Sequence, residues 1–267
     1  EHHDLAPLAE ARVEERARHA GRLPRTRGRL EHERLRALEG TDDLGEERVD
    51  GERDHFALAL ISTKVPVEMK RGQNAPLGPL TTLKIGGPAR ELATVESESD
   101  AVDVVREAAR TSSPLLVLGG GSNLVVADEG FDGVVLWMQS RGVSSRTDGD
   151  RVVLDVAAGE PWDAFVARCV SEGLSGVECL AGIPGLVGAT PIQNVGAYGQ
   201  EVCETIRSVR VLDRTTGAID EVPASACGFA YRRSVFKGSD RYVVTSVRFA
   251  LERSGSSQPL RYAELVR

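Results

Sequence analysis

The sequence predicts an α+β protein, with a small parallel α/β lobe followed by a mainly antiparallel lobe. Three observations carry this. Strand-like and helix-like patterns alternate over residues 77–118 with short connections, as a parallel crossover requires. Farther along, SVRVLDRTTGAIDEVP reads as two alternating strands joined at Thr215–Thr216–Gly217, the pattern of a hairpin. Between them Cys179–Gln200 (CLAGIPGLVGATPIQNVGAYGQ) carries no charge, in a chain where charged residues make up 27%.

The first residues are of another kind. Up to His55 the chain is dense in Arg and Glu and holds all five histidines, and lysine is absent before Lys64. Pro24, Gly28, Gly40 and Gly45 interrupt any helical period, and a helix near Leu30–Leu38 would have little apolar face to bury. No acidic or Cys cluster is spaced to complete a metal site with His2 and His3, so none is expected. The chain starts without Met, and Met69 lies just before the pattern becomes globular. Residues 1–66 are therefore expected to be a disordered or non-native extension that is dispensable for folding.

The organised pattern begins with LTTLKIGGPARELATV, two strand-like pieces around a Gly86–Gly87–Pro88 turn. SESDAVDVVREAAR then predicts an amphipathic helix, with Ser97 and Asp100 as a capping pair. Val102, Val105 and Ala109 share its apolar face, with Val104 and Ala108 close by. Pro114–Leu118 is wholly apolar, the signature of a strand buried on both faces.

That strand runs into Gly119–Gly120–Gly121–Ser122–Asn123. A Rossmann phosphate loop needs a helix next, but Leu124–Val126 and a strand near Val134–Trp137 follow, and Leu124 occupies the last Gly position of GxGxxG. Successive amides in a tight turn form an anion-binding nest, with Ser122 and Asn123 adding side-chain donors. A plain glycine-rich turn accounts for the same residues equally well.

A second lobe starts near Arg146. RVVLDVAAG predicts a strand, and Pro161 opens a helix whose Trp162, Phe165, Val166, Cys169 and Val170 form a core face before Gly173 stops it. The uncharged stretch follows, with Gly182, Gly185, Gly188, Gly196 and Gly199 interspersed with Pro184 and Pro191. These breakers, with Gln193 and Asn194, rule out a membrane-spanning helix. Two readings remain: a buried loop-rich core, or glycines that let the main chain touch a large flat ligand while the Gln193 and Asn194 amides supply directed hydrogen bonds. The second is favoured. FAYRRSVFKGSDRYVVTSVRFAL closes the pattern with a basic knot and a final strand.

Composition narrows the partners. A net charge of −7 and a pI near 5.4 argue against nucleic acid, so an anionic ligand must be held by local groups. The cysteines Cys169, Cys179, Cys203 and Cys227 form no CxxC pair, which fits buried thiols in a reducing cytoplasm, and no secretory signal is visible.

In order, TTLKIGGPA, LGGGSN, AAGEPW, GIPGLVGATPIQNVGAYGQE and FAYRRSVFK resemble the UDP-N-acetylenolpyruvoylglucosamine reductases, flavoenzymes of peptidoglycan precursor synthesis. The resemblance runs from about Asn74 to Arg267. It implies a two-subdomain FAD-binding fold of the vanillyl-alcohol-oxidase type. The subdomains would cover 74–145 and 146–253, and a substrate domain would begin at 254–267. The implied cofactors are FAD and NADPH and the implied partner is a UDP-sugar substrate, with no metal, nucleic acid or membrane.

On this basis Gly119, Gly120, Gly121, Ser122 and Asn123 would hold the pyrophosphate. Ile183, Gly188, Ala189, Thr190, Gln193, Asn194, Gly196 and Ala197 would run along the flavin and its ribityl chain. Hydride would pass from NADPH to the flavin and then to the enolpyruvyl double bond, giving UDP-N-acetylmuramate. Arg232 would stabilise the enolate-like carboxylate, while Tyr231 and Tyr262 would contact the substrate. Arg233 and Lys237 are expected to be solvated and Ser234 structural. The family's proton-donating serine and its partner glutamate are expected beyond Arg267, so the chain as given is expected to bind FAD without efficient turnover. Another flavin oxidoreductase of the same fold, or a non-catalytic remnant, are the competing readings.

Overall fold

The computed structural model describes residues 69–254 and 256. The expected 1–66 extension with its histidines, and Tyr262 within the expected 254–267 segment, lie outside the described residues.

The first sheet contains β1 (Arg71–Pro76), β2 (Pro88–Val95), β3 (Leu115–Leu118) and β4 (Phe131–Met138), in the order β1-β2-β4-β3. Strands β2 and β3 each run parallel to β4, whereas β1 is antiparallel to β2. The predicted strand–helix–strand unit is present, but its crossover passes over one position, which β4 fills.

Two readings change here. The TTLKI piece is not a strand: Gly78–Leu80 forms a short 3-10 turn, and Lys84 (φ 58°) and Gly86 (φ 120°) bend the chain. The Thr82 N–H donates to the Gly121 carbonyl at 3.0 Å, so the segment is a loop folded onto the glycine run. Its alternation came from Leu83 and Ile85, both exposed. The strand that pairs with β2 is instead RGQNAP, an edge strand without an apolar period to announce it. Likewise β3 is not buried on both faces. It is the outer strand of the sheet, and of its residues only Leu118 is buried.

Helix α1 (Glu98–Arg110) starts with a complete capping box. The Ser97 hydroxyl accepts from the Asp100 N–H (3.1 Å) while the Asp100 carboxylate accepts from the Ser97 N–H (2.9 Å). The buried face is Ala101, Val104, Val105 and Ala108, rotated slightly from the expected one, with Ala109 exposed. Ser97→Ala is expected to cost about 1 kcal/mol in urea unfolding, since the Asp100 N–H loses its acceptor.

The second sheet follows. Strands β5 (Val143–Asp148) and β6 (Arg151–Ala157) precede helix α2 (Trp162–Ser171) and the short β7 (Leu174–Ser175). A two-stranded hairpin of β8 (Gly196–Ala197) and β9 (Gln200–Glu201) comes next, then β10 (Ile206–Asp213), β11 (Ile219–Pro223) and β12 (Tyr242–Arg253). The order is β11-β10-β12-β6-β5, every pairing antiparallel, with β7 against the end of β12. The β10–β11 hairpin turns where the sequence places it.

In α2 Trp162, Phe165, Val166 and Cys169 are buried as expected and Gly173 (φ 69°) ends the helix, but Val170 is exposed. Trp162, Phe165 and Phe249 of β12 form an aromatic cluster with ring centroids 5.1–6.1 Å apart. One continuous core joins both sheets, from Val95 and Leu136 to Val209 and Val247. Glu98 adds a polar link, pairing with Arg210 of β10 at 2.7 Å and accepting from the Thr245 hydroxyl of β12 at 3.0 Å. The architecture is α+β.

All four cysteines are free thiols. Burial pushes Cys169 up to about 12 and Cys227 up to about 11, which suits packing rather than reactivity. No helix among the described residues is long and apolar enough to cross a membrane.

Candidate cofactor site

The connection from β3 to β4 contains no helix. It is shaped by close contact between backbones. A Cβ at Gly121 (φ 64°) would lie 2.1 Å from the Leu80 carbonyl oxygen, and one at Gly120 would lie 3.1 Å from Gly185 Cα. Glycine thus lets the loop after β3 press against the 80–82 segment on one side and the uncharged stretch on another.

That stretch is stitched down in turn. The Trp162 N–H donates to Gly185 O (3.1 Å), Val187 N–H to Glu160 O (2.9 Å) and Gly188 N–H to Ala158 O (2.9 Å). At Gly188 a Cβ would meet the Ala158 Cβ at 2.6 Å. Several of these glycines therefore serve protein–protein approach, and a ligand is not needed to explain them.

A cavity of about 440 Å³ lies where these segments meet. Among the described residues, the amides of Gly120, Gly121, Ser122 and Asn123 at its edge donate to no protein acceptor. Leu116, Leu118, Trp162, Ile183 and Val244 make its wall apolar, and Gln193, Arg214 and Lys237 add polar groups. Gln193 is half-buried, and its side-chain amide makes no hydrogen bond among the described residues.

Of the residues expected at a site, Gly119, Gly120, Gly121, Ser122, Asn123, Ile183, Gly188, Ala189, Thr190 and Gln193 line this cavity. Asn194, Gly196, Ala197, Tyr231 and Arg232 do not. Asn194 is fully buried at φ 45°, and its directed bonds go to the protein. Its amide donates to Glu201 (2.8 Å) and Ala230 O (3.1 Å), and its oxygen accepts from the Cys203 N–H (3.2 Å). Gly196 and Ala197 pair with Glu201 and Gln200, and a Cβ at Gly196 would sit 3.0 Å from Gln200 O. The tightness there belongs to the hairpin rather than to the cavity.

The hairpin nevertheless positions Arg232. Its guanidinium donates to Gly196 O at 2.7 Å, and its backbone takes φ 53°. Tyr231, 81% exposed, places its ring 5.8 Å from that guanidinium. Ser234 is structural: its hydroxyl donates to Ile192 O (2.6 Å) and accepts from the Phe236 N–H (3.1 Å). Lys237 is exposed, as expected, and it also lines the cavity and donates to Arg232 O at 2.9 Å. Sequence reasoning missed Arg214 altogether and read Trp162 only as core. No periodicity marks either as a cavity residue.

Apolar walls and free backbone donors, on a loop joining two strands of the first, mixed sheet, suit an anionic, ring-bearing cofactor. The chain belongs to the FAD binding domain family, which matches residues 89–222. The donor set fits that cofactor: uncharged amides for a diphosphate, an apolar wall for flat rings, and the Gln193 amide for directed bonds.

Its relatives are more specific. The chain is 57% identical over 196 residues to the UDP-N-acetylenolpyruvoylglucosamine reductase of Thermobifida fusca, covering 73% of this chain and 55% of that protein. To the reductase of Streptomyces coelicolor it is 55% identical over 196 residues, covering 73% and 50%. It thus spans about half the length of the curated relatives it matches. Among solved structures, the UDP-N-acetylenolpyruvylglucosamine reductase of Thermus caldophilus superposes with TM-score 0.56 at 32% identity, covering 70% of this chain and 63% of that one. A solvent-stable cholesterol oxidase shares the fold, with TM-score 0.53 at 13% identity and coverage of 72% and 39%.

Proposed function

We propose that this chain forms the FAD-binding part of a cytoplasmic reductase. The reductase would convert UDP-N-acetylglucosamine enolpyruvate to UDP-N-acetylmuramate with NADPH, in peptidoglycan precursor synthesis. The observation that carries the reading is the row of unpartnered amides at Gly120–Asn123, set on an apolar cavity in a chain this similar to the reductases. The two sheets, within 74–145 and 146–253 but for the first residues of β1 and β5, would act as the two cofactor-binding subdomains.

FAD, when bound, supplies the hydride chemistry. The chain's residues bind and orient. The amides of Gly120–Asn123 take up diphosphate charge, so the site needs no positive global field. Ile183, Gly188, Ala189 and Thr190 exclude water along one wall, while Gln193 offers a donor and an acceptor to a polar ring edge. Arg232 spends one donor on Gly196 O and keeps the rest of its planar fork for the substrate carboxylate, where charge builds during reduction. Tyr231 lies against that guanidinium, and Tyr262 is assigned to the UDP-sugar on the resemblance alone.

The test begins with the purified chain loaded with FAD, read by its visible spectrum. Flavin retention is expected, and a colourless protein would overturn the cofactor assignment. Titrating the enolpyruvyl UDP-sugar into the flavin-loaded chain then tests the substrate. Arg232→Ala is expected to weaken that binding about tenfold or more at unchanged flavin content. Equal affinity in both proteins would remove Arg232 from the carboxylate.

A further inference from the structure

The functional reading leaves three charged residues of the cavity, Arg214, Lys237 and Asp240, without a role. Arg214 follows Asp213 at the turn between β10 and β11, and this turn is firmly held. The buried Asp213 carboxylate accepts from the N–H groups of Thr215 (2.8 Å) and Thr216 (3.3 Å) and from Arg241 Nε (2.8 Å). The Arg214 N–H donates to Arg241 O at 2.7 Å. Arg241 itself is occupied, paired with Asp213 and lying 5.0 Å from the Tyr242 ring centroid.

The Arg214 side chain is not occupied in that way. Among the described residues its one hydrogen bond runs from Nη2 to Leu115 O at 3.5 Å, the limit for such a bond, and it makes no ion pair. Asp240 lines the same cavity without pairing with it. A half-buried guanidinium on a rigid turn, with most of its five N–H donors unspent, is available to a ligand.

We propose that Arg214 binds the adenosine half of the dinucleotide and makes the cavity selective for FAD over FMN. This rests on the flavin reading. Arg214 reaches Leu115 at the start of β3, and the loop of free amides opens at Gly119 just past its end. Four residues at a strand rise of about 3.3 Å separate these points by about 13 Å, so Arg214 stands a nucleoside's length from the diphosphate donors. The strip between them is apolar and incompletely covered: Leu116 is half-buried and Val117 exposed, and β3 is an edge strand among the described residues. Tyr242 and Val244 line the cavity with it. A planar guanidinium beside an apolar strip suits a purine nucleoside: it stacks on the flat base and donates to ring nitrogens and ribose oxygens. Gly188–Thr190 and Gln193 are assigned to the flavin half. FMN ends at its phosphate and would not reach Arg214.

The test compares the affinities of FAD, FMN and ADP for the unmodified chain and for Arg214→Ala. FAD and ADP binding are expected to weaken about tenfold in the variant while FMN binding stays unchanged. Arg214→Lys is expected to recover little, because the fork is lost. The urea midpoint should not move, since the side chain makes a single weak contact. Equal loss for FAD and FMN would place Arg214 at the flavin end or make it a structural prop, and unchanged FAD affinity would remove it from the site. Either result overturns the inference while leaving flavin binding intact. If the unmodified chain binds neither flavin, the cofactor reading itself fails, and the inference with it.

Discussion

Gly121→Ala is expected to destabilise the chain by about 3 kcal/mol and to abolish flavin retention. Two effects add. The residue sits at φ 64°, where a side chain costs about 1–2 kcal/mol. The new methyl would also lie 2.1 Å from Leu80 O and 2.8 Å from Thr81 Cα. Both are backbone atoms, so no rotamer change relieves the clash. Displacing them disturbs the bond from the Thr82 N–H to Gly121 O and with it the row of free amides. Gly119→Ala is the matched control, because its methyl meets only Leu186 carbons at 3.7–4.0 Å. Its stability should stay within about 0.5 kcal/mol of the parent. Urea unfolding and flavin absorbance read both variants. If Gly121→Ala proved as stable as Gly119→Ala, the packing of the 80–82 segment would not be what holds the loop.

Trp162→Ala should cost about 3–5 kcal/mol and lower flavin content as well. Trp162 is 1% exposed, its indole N–H donates to Leu180 O at 2.9 Å, and its ring packs on Phe165 and Phe249. Truncation opens a void at the junction of α2 and β12, in a wall that also borders the cavity. Trp162→Phe keeps most of the packing but leaves the Leu180 carbonyl unpaired, at a cost of about 1–3 kcal/mol. Guanidinium unfolding should rank the two variants in that order. A loss below about 1 kcal/mol for Trp162→Ala would show that the surrounding residues close around the gap.

Much of the fold could be read from local pattern. Helix α1 showed its capping box in Ser97 and Asp100 and its apolar face within one rotational step, because both are properties of a few adjacent residues. The start of α2 and the β10–β11 hairpin were legible for the same reason. Strand β1 was not. RGQNAP has no apolar alternation, and it is a strand only because β2 offers it an edge. TTLKI does alternate, yet it folds as a loop because contact with Gly121 outweighs its period.

The candidate site divides along the same line. The glycine run after β3 and the uncharged stretch stood out because both are contiguous and compositionally unlike the rest of the chain. Asn194 misled, since a polar side chain in such a stretch can turn to a ligand or to the protein, and only Glu201, Ala230 and Cys203 decide which. Arg214 and Lys237 were invisible, because a lone cation near a turn looks the same whether it meets solvent or a cavity.

By itself, then, the sequence determined where the chain must turn tightly, which faces are apolar and which stretch avoids charge. These depend on backbone freedom and side-chain period, which act over a few residues. Tertiary structure alone decided that Gly120 meets Gly185, that Arg232 is held by Gly196 and that Arg214 overlooks the same cavity as the glycine loop. Each of those contacts joins segments from 36 to about 95 residues apart, and they form only when two sheets close over a shared core.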